Sequence, residues 1–198
     1  MSEIPKQDSE KKEISPEVIE ECMRKIELAL ASAPSSAEFY YDQGKRAKLV
    51  QDALKGKRNK SEPEFDNRGI VEFEDFDIFS AILIKLEEHV DRLKLNKDGF
   101  SKEHIDNLIS HEGDHFRTAE KNGLTPRMTI RFYRMKDGSY GYSPAVFAHI
   151  PAGEEQARVL KDIIEAPDEL SIFDKGMLGK VDDTDWDSKS SKPKRPKK

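Results

Sequence analysis

A single cysteine, Cys22, is all that 198 residues provide. It excludes an internal disulfide framework and a zinc knuckle built from cysteines, and it fits a reducing compartment. Long apolar runs are missing too: no stretch approaches a membrane span, and the N-terminus lacks the apolar centre of a secretory signal. The expectation is a soluble, cytoplasmic protein without a membrane partner. Nor is positive charge in excess. The formal net charge is −5, which argues against a dedicated nucleic-acid surface, so no nucleic-acid partner is expected. Hydrophobic residues make up 35% and charged residues 37% of the chain, a balance that permits one modest core beside disordered ends.

What the chain does have is Ser110-His111-Glu112-Gly113-Asp114-His115-Phe116, a match to H-E-x-x-H. The residues around it read as one capped helix, with Ser101 as N-cap, Glu103 in the first turn and Gly123 as the C′ residue. Four positions apart on a helix, His111 and His115 lie on one face about 6 Å apart in rise, close enough to share a metal ion. Stepping ~100° per residue from His111, Leu108, Ala119, Ile105, Phe116 and Ile109 span an apolar arc. Glu112, at about 100°, lies inside that arc. A carboxylate aimed at a core costs several kcal/mol unless a charge or a polarised water compensates it. A zinc ion with its water would do so, and Glu112 would then be the general base.

Residues 1–13 are charged and nearly free of apolar side chains, and disorder is expected there. Residues 14–56 form an N-terminal helical segment. Ser15-Pro16-Glu17 opens its first helix, which carries Val18, Ile19, Cys22, Ile26 and Leu30 and ends at Pro34; a second starts at Ser35 or Ser36 and stops at Gly56. Residues 57–69 read as a linker whose basic cluster is a solvated loop. Residues 70–181 are expected to fold around the H-E-x-x-H helix. Phe76, Phe79, Leu83, Leu86, Val90 and Leu93 mark one long core helix before it. Residues 128–134 and 140–150 form a hairpin beside it, with Pro144 marking a break or an edge. A further helix runs from Pro151-Ala152-Gly153 through Glu165, and residues 170–179 are short and mixed. Residues 182–198 are expected to be a disordered tail.

This order of parts resembles the peptidase domain of the FtsH-type ATP-dependent zinc metalloproteases. In that family a helix runs into H-E-A-G-H, with alanine and glycine after it at four-residue spacings. A V-T-I strand, a Gly-Tyr pair, a helix with an A-E pair and a later aspartate as third zinc ligand complete the pattern. The counterparts here are His111-Glu112 and His115, Ala119, Gly123, Met128-Thr129-Ile130, Gly141-Tyr142, Gly153-Glu154-Glu155 and Asp174, so the resemblance covers about residues 100 to 179. Asp114 stands where the family has glycine, and nothing corresponds to the membrane segments or the ATPase module. The resemblance implies an α+β, mainly helical zincin-like domain with a small β-hairpin next to the H-E-x-x-H helix. It also implies a stand-alone peptidase that acts on peptides or unstructured proteins.

Two histidines leave a catalytic zinc one protein ligand short. The resemblance favours Asp174, which comes directly after the apolar pair Ile172-Phe173 that would bury it; Glu155, Glu165, Asp168 and Glu169 are rivals from the same region. His104 shares the face of His111 but lies roughly 10 Å along the helix, too far for the same ion. His149, Tyr133, Tyr140 and Tyr142 are candidate donors to a developing oxyanion. Two other readings compete: a non-catalytic interaction protein on a zincin-like domain that has lost its third ligand, and a deformylase-like metallohydrolase using Cys22.

Overall fold

Local capping chemistry fixes where the helices begin. In the computed structural model, which describes residues 14–55, 64–151 and 155–179, Ser15 Oγ accepts from the Val18 amide and Pro16 opens α1 (Pro16–Ser32). Ser35 and Glu38 form a reciprocal capping box at the start of α2 (Ser36–Leu54). Strand β1 (Ile70–Phe73) comes next, and Asp75 caps α3 (Phe76–Glu88). Ser101 Oγ accepts from the His104 amide at the head of α4 (Lys102–Lys121), and Gly123 adopts φ 74° just past its end. The chain continues through strands β2 (Arg127–Arg134) and β3 (Tyr140–Phe147), then α5 (Gln156–Ile164) and α6 (Ile172–Leu178). Among the described residues the protein is thus mixed α+β and mainly helical. None of these helices is long and apolar enough to cross a membrane.

The sheet runs β1-β2-β3, antiparallel throughout, with Val71 opposite Ile130 and Thr129 opposite Ala145. Alternation along β2 sorts its two faces. Met128, Ile130 and Phe132 are fully buried and join one core with Ile26 and Leu30 of α1, Phe79, Leu83 and Leu86 of α3, and Ile105 and Phe116 of α4. Helix α1, which precedes the expected linker, therefore shares one core with α3, α4 and the sheet. On the other face, α2 lies across the sheet: Phe39 stacks on Tyr133 at 4.3 Å, and buried Asp42 accepts from Arg131 Nη1 at 2.6 Å. Gly69 turns the chain into β1 at φ 73°, where a Cβ would come within 2.5 Å of the Phe132 carbonyl oxygen.

Three elements differ from the sequence expectation. The hairpin gains a third strand, β1. The core helix is shorter than its apolar stripe: α3 ends at Glu88, and Lys94 closes a turn at φ 54° that still carries Val90 and Leu93 onto the core. Pro144, by contrast, marks an edge as expected: it lies opposite Ile130 in the edge strand β3, where a missing amide costs no ladder bond to a further strand. Residues 172–178 form a helix, α6, that the mixed composition of the segment concealed. The first residues expected in the helix before it, 152–154, lie outside the described residues, as do 1–13, 56–63 and 180–198.

Candidate metal centre

Helix α4 turns Ile105, Glu112, His115, Phe116 and Ala119 into the interior. Glu112 is 7% and His115 8% exposed, so the inward glutamate anticipated from the apolar arc is buried. Gly113 allows close packing behind the motif, since a Cβ there would meet the Phe76 ring at 3.0 Å and Arg117 Nη1 at 2.8 Å. Asp114 points outward and pairs with Arg117 at 2.8 Å, leaving the packing of His115 undisturbed.

His111 Nε2 and His115 Nε2 stand 3.3 Å apart. Asp174, on the first turn of α6, faces both: Oδ2 is 3.1 Å from His111 Nε2, and Oδ1 is 3.5 Å from His115 Nε2. One ligand atom from each residue lies within 4.8 Å of the others, and the group can hold a metal ion. Two supporting contacts orient it. His115 Nδ1 lies 2.6 Å from the Ile163 carbonyl oxygen at the end of α5. A carbonyl only accepts, so Nδ1 carries a proton in either charge state, and whenever the ring is neutral its lone pair is at Nε2. Ser171 holds Asp174 through a reciprocal capping box, its amide donating to Oδ2 at 2.9 Å and its hydroxyl accepting from the Asp174 amide at 3.2 Å.

The electrostatics arise from this crowding. Burial pushes the Glu112 carboxyl up to about 7, against the opposing pull of the His115 and His111 rings. Asp174 moves the other way. Burial raises its pKa, but hydrogen bonds from His111, His115 and Ser171 prevail and hold it well below the usual carboxylate range. The His111 pKa is raised, chiefly by its contact with Asp174. Burial opposes the same shift in His115, where Asp174 and the Ile163 carbonyl overcome it.

The other sequence candidates lie elsewhere. His104 and His149 are exposed. Glu155 pairs with Arg158, and Lys161 approaches Glu165 at 3.9 Å; Asp168 and Glu169 are exposed. The Tyr142 hydroxyl donates to the Gly99 carbonyl at 2.7 Å, Tyr133 Oη lies 3.5 Å from Tyr40 Oη, and Tyr140 packs against the core. Cys22 packs in the apolar core. The apolar pair expected to bury Asp174 does not do so: Ile172 is 84% and Phe173 52% exposed. The first turn of α6 points them outward, while Asp174 turns back toward Ser171 and the imidazoles.

Sequence reading missed the Ile163 carbonyl, which no side-chain pattern announces, and Ser171, which the S-x-x-D spacing of a capping box does announce. No family model matches the chain, and no curated protein or solved structure matches it.

Proposed function

We propose that the protein is a zinc-dependent metallopeptidase of the H-E-x-x-H type, with His111, His115 and Asp174 as zinc ligands and Glu112 as general base. The observation that carries this reading is the spacing of the donor atoms. Ligands at ~2.0–2.1 Å around a tetrahedral zinc ion stand roughly 3.3–3.4 Å from one another. The two Nε2 atoms match that spacing at 3.3 Å, and each faces its own oxygen of the Asp174 carboxylate, His111 at 3.1 Å from Oδ2 and His115 at 3.5 Å from Oδ1. Two imidazoles with one carboxylate suit zinc better than magnesium or calcium, which prefer all-oxygen shells. Three protein ligands also leave the open position that catalytic zinc sites keep.

Zinc in such a site lowers the pKa of water and polarises a carbonyl group. The residues of this chain supply the rest. Glu112, buried beside both histidines, would take a proton from water and return it to a leaving amine. The Ile163 carbonyl fixes the His115 tautomer, and Ser171 fixes the Asp174 carboxylate. Asp174 facing both rings supports a peptidase over an interaction domain that has lost its third ligand. In line with the resemblance to the FtsH-type peptidase domain, the substrates are peptides or unstructured proteins.

Metal analysis tests the reading. Protein purified and equilibrated with zinc holds about one equivalent, and His115→Ala holds almost none. A parent protein that takes up less than about a tenth of an equivalent contradicts it.

A further inference from the structure

The third ligand of the proposed zinc site sits on an element with little apolar hold of its own. Helix α6 has seven residues, and its two large N-terminal side chains, Ile172 and Phe173, face solvent. A helix of this length is marginal without tertiary support. That support comes mainly from α2 and α5, whereas α4, which carries the histidines, is reached chiefly through the Asp174 side chain. Between α2 and α6 one polar link stands out: Gln51 Nε2 donates to the Gly176 carbonyl at 2.5 Å.

The other half of α2 is anchored to the sheet. Asp42 Oδ2 accepts from Arg131 of β2 at 2.6 Å and from Arg46 at 3.0 Å, and its Oδ1 accepts from the Asp66 amide at 3.1 Å. Gln51 lies nine residues further along, about 13 Å up a rigid helix. Helix α2 therefore works as a strut, with one end tied to β2 and the other to the helix that bears Asp174.

We propose that Gln51 is a positioning residue of the metal centre, its side-chain amide holding α6 on α2 so that Asp174 faces His111 and His115. The inference rests on the zinc reading given above. It assigns the N-terminal helical segment a part in building the site.

The test uses the full chain with Gln51→Leu, which removes the donor at similar volume, and Gln51→Lys, which restores one. In metal-free protein, amide exchange across residues 172–178 quickens on the order of tenfold in Gln51→Leu and returns close to the parent rate in Gln51→Lys, while α1 and α3 exchange as in the parent. Zinc affinity, read by competition with a chelator, weakens on the order of tenfold in Gln51→Leu and recovers in Gln51→Lys. Parent-like exchange and affinity in Gln51→Leu would overturn the proposal. So would equal quickening of α1 and α3, which marks general destabilisation, or a failure of Gln51→Lys to recover either readout. A parent that binds no zinc removes the metal reading on that result alone, and exchange in α6 still decides whether Gln51 holds the helix.

Discussion

His115 Nδ1 lies 2.6 Å from the carbonyl oxygen of Ile163, and this contact turns the opposite ring nitrogen toward His111 and Asp174. A helix end that has no part in the sequence motif thus sets the tautomer of one of its histidines.

Ser171 does the same for the carboxylate. Ser171→Ala removes an N-cap worth about 1 kcal/mol, a loss of roughly 2–4 °C in melting temperature for a chain of this size. It also frees the Asp174 carboxylate to turn, and zinc affinity falls about 10-fold or more. Thermal unfolding followed by circular dichroism and a chelator competition read the two effects separately.

How much of this was legible in the sequence depended on how local the determinant was. Helix α4 was readable because Ser101, Gly123 and the arc of Ile105, Phe116 and Ala119 all act within the helix itself. The hairpin was readable from alternation and the Lys136-Asp137-Gly138-Ser139 turn. Strand β1 was not, since four residues become a strand only by pairing with β2, some sixty positions away in sequence. Helix α6 hid because Ile172 and Phe173 face water and give no amphipathic stripe. Val90 and Leu93 continued the stripe of α3 in sequence, yet they reach the core from a turn. The Asp42–Arg131 pair joins residues 89 positions apart, and no pattern in either segment announces it.

That pair is buried on both sides. Arg131 is 4% and Asp42 2% exposed, and Nε and Nη2 of Arg131 have no hydrogen-bond partner among the described residues. Asp42→Ala leaves the buried guanidinium only Asp66 Oδ2, 3.8 Å from Nη2, as a counter-charge, and costs about 3–5 kcal/mol in urea unfolding. Replacing both residues, Asp42→Ala with Arg131→Met, recovers a large part of that loss. A double variant as unstable as the single one would show that the loss comes from packing and not from stranded charge.

The metal-free site makes stability depend on pH in a window set by its own groups. The Asp174 pKa is lowered in the folded protein, so its contribution is present above the unfolded carboxylate value of about 4 and is lost as pH falls below it. The His111 and His115 pKa values are raised, so theirs is full below the unfolded imidazole value of about 6.5 and is lost as pH rises through the folded values. The difference in melting temperature between metal-free parent and Asp174→Asn is therefore largest between about pH 4 and 6.5. A difference that grows steadily up to pH 9 would contradict the His–Asp pairing.

Peptide hydrolysis by Glu112→Gln, measured with zinc occupancy determined on the same sample, distinguishes a general base from a buried carboxylate without a catalytic role. The amide cannot accept a proton. The variant is therefore expected to keep its fold and about one equivalent of zinc while hydrolysing a peptide library on the order of a hundredfold more slowly than the parent, or slower still. A zinc-loaded Gln variant that cleaves as fast as the parent would contradict the role of Glu112, and a zinc-loaded parent that cleaves nothing would leave the ion a structural one.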